Sequence, residues 1–419
     1  MRPYGHGQPI PRGEGVPNVA VTTYTAATLF DGTGAEPIRD AFIQIEDGTI
    51  KNVGRKADLG SAGANARDLG NATILPGLIN MHTHLTLSGS RQCLQDALYD
   101  TYEIKMMRAI EHARQAILSG VTTIRDCGTL NSIVFSVREA SKQGLITAPH
   151  VWASGDVLTS TGGHCYFFGN ECDTIEDARR AVREQVKAGA DFVKVMATGG
   201  GLTPNTNPRE AQFDEAQMVA IVQDAERLGR YVAAHCHGTP GIYNAITAHV
   251  RTIEHCSFMV PTGVGYEQRA ADQIAEKGIY VCPTLGVGER ARQWMEQEGI
   301  NNPFAATRHQ RMDSLRKLVE SGVKFVSGND AGVTMTGFDD FQLDLEMLVE
   351  HIGFTPGDAI VTATGRAAEA LGTDEFGTLT TGKRADVLIV RGDATEDIGA
   401  LRDIQMVVKA GQVAVDKAA

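Results

Sequence analysis

Five stretches of the chain repeat one phrase: an amphipathic run, a glycine, then a short apolar segment. They are AILSG–VTTIRD, QVKAGA–DFVKV, ERLGR–YVAAH, IAEKG–IYVCPT and VESG–VKFVSG. The glycine falls where a helix C-terminus needs a left-handed residue. The segment after it is continuously apolar, as a parallel strand buried on both faces must be. Helical periodicity fills 174–189, 214–228 and 307–321 between such segments. In TPGDAI, Thr355, Pro356 and Asp358 predict a further helix start, as N-cap, first helical position and first-turn acid. Strand and helix in alternation predict a parallel α/β architecture.

Eight candidate strands lie near 76–82, 121–126, 150–155, 191–196, 231–236, 251–256, 279–283 and 323–328. Eight βα units in about 290 residues predict a TIM-like (β/α)8 barrel over 76–372. A doubly wound sheet is the alternative, and it would gather ligands at one switch point in the strand order. Here polar residues end five or more separate strands, and only a closed barrel makes all those ends converge. The two chain ends read differently. Residues 19–75 alternate in short runs broken by turns, with Asp-Gly at 31–32 and 47–48 as hairpin signals. ADVLIVRGD and IQMVVKAGQVAVD repeat that style near the C-terminus. The expectation is a composite β-sandwich domain of 18–75 plus 373–419, preceded by a Gly- and Pro-rich arm over 1–17.

Charge narrows the range of functions. The 419 residues carry 39 Lys and Arg against 51 Asp and Glu, a net charge of −12. Nucleic-acid binding needs a basic face, so it is not expected. No run approaches a membrane span, and the N-terminal segment lacks the apolar core of a signal peptide. The expected partner is a small molecule and the expected location is the cytoplasm. Seven cysteines, an odd number with no CxxC pair, predict free thiols in a reducing compartment. Cys236 and Cys256 each neighbour a histidine, but side chains alternate along a strand, so both read as packed residues facing away from it.

Chemistry gathers at the ends of the apolar segments. His82 and His84 in INMHTHL are spaced i, i+2, so on a strand both imidazoles face one side. His235 in YVAAHCHG and His255 in RTIEHCSF close the fifth and sixth candidate strands, and Asp330 in SGNDAG follows the eighth. Each alone reads as a satisfied core histidine or a turn former. Together they form a metal-ligand set, since neutral imidazoles and carboxylates hold zinc and similar ions. Lys194 in FVKVM is the odd member, because an amine is costly to bury among apolar side chains. It either snorkels from the strand end or pairs with Asp126 or Asp156, or it stays neutral and reacts with carbon dioxide to give a carbamate. His237 shares the face of His235 and reads as a substrate contact.

These motifs, in this order, resemble the amidohydrolase superfamily. Its pattern is HxH after the first strand, Lys after the fourth, His after the fifth and sixth, and Asp after the eighth. The flanks ILPGLINMHTHL, GVTTIRDCG and GTLTTGKRADVLIV are similar to it as well, so the resemblance covers nearly the whole chain. It implies two divalent metal ions, with zinc expected. His82, His84 and Asp330 would hold one, His235 and His255 the other, and N-carboxylated Lys194 would bridge them. It also implies a homo-oligomer. STGGHC (160–165) and HCHG (235–238) resemble the group of Xaa-Pro dipeptidases, N-acyl-amino-acid hydrolases and imidazolonepropionase-like enzymes. The chain as a whole resembles bacterial ochratoxin-degrading amidohydrolases, which cleave the amide joining phenylalanine to an aromatic acid. Cys165 departs from the glycine common after TGGH, which bears on pocket shape.

The implied reaction is amide hydrolysis by a metal-bridging hydroxide, with Asp330 as the proton carrier and His164 or His237 beside the developing oxyanion. The carboxylate of an N-acyl amino acid needs a cationic or hydrogen-bonding partner. Candidates are His164, Arg209, His237, Arg290 and Arg292. The loop 199–213, rich in Gly, Pro and Asn, is a candidate lid. A deaminase of this superfamily would show HxxE after the fifth strand, and here that third position is Gly238. An Xaa-Pro dipeptidase or a cyclic amidase could use the same ligands. A non-catalytic barrel would be expected to have lost some of them, and all six are present.

Overall fold

The computed structural model describes residues 21–301 and 305–417. The expected arm over 1–17 lies outside them. Three parallel strands, Leu78–Thr83, Val121–Asp126 and His150–Ala153, form one sheet. A second sheet runs in the order Gly169–Glu171, Val157–Thr159, Val193–Met196, Val232–Gly238 and Thr252–Val260, all parallel. Tyr280–Cys282 pairs in parallel with Thr252–Val260. Backbone bonds link the two sheets on both sides. Asp191 N donates to Ala153 O at 2.8 Å on one side. On the other, Val281 N donates to Lys324 O at 3.0 Å and Met81 N to Ser327 O at 2.9 Å.

The expected eighth strand, 323–328, is not a regular strand. Its ladder pairing is reduced to isolated bridges, Val281 to Phe325 and, just beyond, Thr83 to Ala331. Ser327 N turns instead to Thr362 O at 3.1 Å. The backbone is also pressed against His82: a Cβ on Gly328 would lie 2.5 Å from His82 N. Close approach there replaces an even ladder. The short strands Val157–Thr159 and Gly169–Glu171 were not expected from the sequence.

The helix punctuation agrees with the sequence pattern. Gly120, Gly189, Gly229, Gly278 and Gly322 all have positive φ, from 65° to 107°. Helices Ile175–Ala188 and Glu215–Arg227 begin with capping boxes at Thr174 and Asp214. Helix Ala305–Glu320 fills the third expected helical stretch. Thr355 accepts from Asp358 N at the start of Pro356–Thr362.

Strands from both chain ends share one eight-stranded sheet. Its order is Gln412–Asp416, Ile404–Lys409, Val387–Arg391, Ala72–Pro76, Thr22–Leu29, Ile38–Glu46 and Thr49–Arg55, with Arg67–Asp68 also on Thr22–Leu29. The two ends meet where Val387–Arg391 runs antiparallel to Ala72–Pro76. The pairing is that of a single mixed sheet, where two facing layers were expected. Tyr24, Ile43, Ile74, Ile389 and Met406 give this sheet a core of its own. Asp47 and Gly48, with φ of 51° and 77°, make the expected hairpin turn. Asp31-Gly32 instead sits in the longer connection 30–37.

Candidate metal centre

His82 lies near the end of Leu78–Thr83 and His84 one residue past it, while His235 and His255 lie within Val232–Gly238 and Thr252–Val260. His82 and His84 are 1% and 5% exposed, and Lys194, His235, His255 and Asp330 are also buried, at 7% or less. Asp330 Oδ1 lies 3.4 Å from His82 Nε2 and 3.2 Å from His84 Nε2. Lys194 Nζ is 3.2 Å from His82 Nε2, so its neighbour is this histidine, with neither Asp126 nor Asp156 as its partner. The ring of His255 is 5.1 Å from that of His82 and 4.6 Å from that of His235. Donor atoms of His82, His255 and Asp330 lie within 4.8 Å of one another, as do those of His235, His237 and His255.

Hydrogen bonds fix which nitrogen His84, His235 and His255 offer. His84 Nδ1 donates to Gly128 O at 2.8 Å, leaving Nε2 bare towards Asp330. Thr284 Oγ1 donates to Pro283 O, so it can only accept from His255 Nδ1 at 2.8 Å, and His255 also presents a bare Nε2. His235 is reversed: Nε2 donates to Gly199 O at 3.2 Å, which leaves Nδ1 as the ligand atom. His82 turns Nδ1 towards Glu254 Oε2 at 2.9 Å and keeps Nε2 for the centre.

Glu254 was not expected from the sequence. It is fully buried, and Arg125, also fully buried, donates to its other oxygen at 2.6 Å. Burial alone would raise its carboxyl, but Arg125 and His82 outweigh that and hold it well below the carboxylate range. Glu254 and His255 are neighbours in sequence, yet both serve the centre. Alternation is broken here by left-handed backbone, with φ of 66° at His255, 46° at Cys256 and 47° at Phe258. Asp330 is left-handed as well, at 59°. Such strain gathers where a site over-determines its backbone. Cys236 and Cys256 join the apolar core, as expected, though regular alternation accounts only for Cys236.

The electrostatics suit a cation. Burial, followed by the Lys194 charge, lowers His82 to about 4. Burial and neighbouring histidines put His235 and His255 far below their ordinary range. All are neutral at pH 7, with lone pairs free. For Asp330, burial acts upward, but His82 and His84 outweigh it and keep the carboxylate charged. Its Oδ1 is buried and has no hydrogen-bond partner. An orphaned carboxylate oxygen facing several bare imidazole nitrogens fits divalent metal of the zinc type. A further cluster of His82, Cys127 and Glu254 does not: burial pushes the Cys127 thiol up to about 12, and Glu254 is committed to Arg125.

His164 and His237 flank the centre. The ring of His164 is 4.6 Å from that of His235, and its Nδ1 is buried without a partner. Burial, then His237, lowers His164 to about 3, and burial, then Arg311, does the same to His237. A Cβ on Gly200 would lie 2.3 Å from His164 Nε2, so the glycine admits that ring. The loop 199–213 packs down: Thr198 bridges to Ala211, and Gln212 Nε2 donates to Met196 O at 2.8 Å. The three arginines considered as carboxylate partners are otherwise engaged. Arg209 is exposed and donates to Val260 O, Arg290 grips Asp340, and Arg292 is held by Glu289 and Glu296.

Residues 73–414 match the family described as Amidohydrolase family. The chain is 30% identical over 426 residues to an ochratoxinase of Aspergillus niger, covering 91% of this chain and 84% of that protein. An imidazolonepropionase of Cereibacter sphaeroides (strain KD131 / KCTC 12085) is 26% identical over 382 residues, covering 87% of this chain and 91% of the other. The crystal structure of a Xaa-Pro dipeptidase with bound methionine in the active site superposes with a TM-score of 0.84 at 29% identity, covering 94% and 99% of the two chains.

Proposed function

The chain belongs to the amidohydrolase family and is an enzyme of amide-bond hydrolysis; from that premise we propose that it splits N-acyl-L-amino acids. The amino acid released is aromatic, such as phenylalanine, and ochratoxin-type amides are included. The observation that carries this reading is the unpartnered Asp330 Oδ1, 3.4 Å from His82 Nε2 and 3.2 Å from His84 Nε2. The likeness to an ochratoxinase, and to a dipeptidase that holds methionine in its active site, points to an amino-acid product.

His82, His84, Asp330, His235, His255 and N-carboxylated Lys194 would hold two divalent ions, zinc by preference. Such ions lower the pKa of water towards about 7 and polarise a carbonyl. Asp330, charged and with Oδ1 unpartnered, takes the proton of the attacking water and returns it to the leaving nitrogen. His164, with a free Nδ1, faces the oxyanion. His237 lines the approach. Glu254 and Arg125 hold His82 in one orientation.

The catalytic unit in this reading is a (β/α)8 barrel over 76–372, supported by the backbone bonds that join its two parallel sheets on both sides. Residues 18–75 and 373–419 make the accessory β-domain. Tyr99, Met107 and Leu145, at 80%, 67% and 72% exposure, favour a homo-oligomer. Seven buried free thiols suit the cytoplasm, and no helix among the described residues is long and apolar enough to cross a membrane.

A panel of N-acyl-L-amino acids, Xaa-Pro dipeptides and a cyclic amide, run with and without chelator, tests the reading. Release of aromatic amino acids should be fastest, should vanish on chelation and should return with zinc. A preference for Xaa-Pro would make it a dipeptidase, and a preference for the ring a cyclic amidase. Turnover that survives chelation would refute the metal assignment.

A further inference from the structure

Arg311 lies on the helix Ala305–Glu320, between the strand Tyr280–Cys282 and the segment that carries Asp330. Its Nη2 donates to the carbonyl of Pro283. The next residue, Thr284, is the one whose hydroxyl holds His255. The guanidinium is thereby fixed at the strand ends where the centre sits. Its charge is felt at His237, and it feels Asp330 and Asp344 in turn.

What sets Arg311 apart is the lack of an anion. Its Nε is sealed from solvent and has no hydrogen-bond partner, and no carboxylate forms an ion pair with it among the described residues. Asp344 is the obvious counter-ion, but one of its oxygens accepts from Gly286 N at 3.0 Å and the other has no partner. Burial pushes the Asp344 carboxyl up to about 7, so it is a poor anion at neutral pH. Arg290 and Arg292, by contrast, spend their forks on Asp340, Glu289 and Glu296. A guanidinium cannot shed its proton, so burying one without an anion is costly. A planar carboxylate docking on the free edge of the fork would offset that cost.

We propose that Arg311 binds the α-carboxylate of the amino-acid half of the substrate. The scissile amide would then lie between this anchor and the Asp330 cluster. The enzyme would demand a free carboxylate one residue from the bond it cuts, and would reject amidated ends and internal peptide bonds. The inference rests on the N-acyl-amino-acid reading for its choice of ligand.

Calorimetry on the zinc-loaded full chain would compare L-phenylalanine with L-phenylalaninamide. Wild type should bind the acid at least roughly 10-fold more tightly than the amide. Arg311→Met should erase that difference at unchanged zinc content, and Arg311→Lys should keep part of it. If Arg311→Met fails to fold, Arg311→Gln, which keeps a donor for Pro283, is read the same way. Equal binding of the two ligands by wild type, or a preference that persists without the guanidinium, would overturn the proposal. Binding is read here without turnover. An enzyme that holds the acid through Arg311 yet cuts no N-acyl amino acid would sink only the functional reading.

Discussion

Glu254 Oε2 stands 2.9 Å from Nδ1 of His82, while Arg125 holds the opposite oxygen of the same carboxylate at 2.6 Å. All three side chains are at most 1% exposed. A buried carboxylate behind a ligating imidazole fixes the tautomer and makes the other nitrogen a better donor. Glu254→Gln keeps the shape but loses the charge and leaves Arg125 without its anion. Metal affinity should fall roughly 10- to 100-fold. Equilibrium dialysis against a graded chelator measures this, and wild-type retention would mean that Glu254 serves only Arg125.

Asp330→Asn separates holding a metal from moving a proton. An amide oxygen can still face His82 and His84, but it cannot accept and return a proton near neutral pH. Zinc content should stay within a few-fold of wild type, while kcat falls by roughly 100- to 10,000-fold, the range general acid–base catalysis supplies. Elemental analysis beside steady-state kinetics distinguishes the two effects. Near-normal kcat in this variant would remove Asp330 from the proton path.

Much of this centre was legible in the chain, because i, i+2 spacing and strand-end position follow from a period of two. His82 and His84 share a face for that reason, and Cys236 turns outward for the same one. Glu254 escaped the same rule. Alternation puts it opposite His255, and only the left-handed turn at His255 brings both to one side. No pattern of residue types announces that turn. The apolar run 323–328 looked like its neighbours, but its bonds divide between Val281, Met81 and Thr362. Arg311 was missed because a mid-helix arginine carries no local signal, and its isolation from acids is a property of the packed structure.

Acid should unfold the metal-free protein early. Burial, the largest cause, lowers His112 to about 4; its Nδ1 meets Leu85 O at 3.0 Å and its ring stacks on Phe338. His82 lies at about 4, and His164 and His237 at about 3. In the unfolded chain such rings titrate near about 6.5. Between that value and the folded one, the unfolded state binds more protons, so stability falls as pH falls. Each ring contributes up to about 1.4 kcal/mol per pH unit in that window. Scanning calorimetry of the stripped protein at pH 7, 6 and 5 should show Tm dropping at each step. A Tm constant across the series would mean that these rings charge without unfolding the chain.

A carboxylated Lys194 would close the charge balance of a two-metal centre. The imidazoles of His82, His235 and His255 are neutral, and Asp330 is the anion among the expected ligands besides whatever Lys194 supplies. Two dications beside a protonated amine would be badly under-neutralised. Loss of one proton would free the amine, and its addition to carbon dioxide with loss of a second proton would give a carbamate, so that a negative charge replaces a positive one and oxygen donors are added. Nζ already lies 3.2 Å from His82 Nε2, within the cluster. Chelator-stripped protein given zinc in buffer freed of carbon dioxide should therefore regain activity slowly, and bicarbonate should speed recovery. Lys194→Ala should lose roughly 100-fold or more in kcat, the scale of a lost metal-centre group. A short carboxylic acid such as acetate should restore part of that loss by occupying the vacated space. Recovery indifferent to bicarbonate, together with no rescue by acetate, would leave Lys194 as an unmodified amine beside His82.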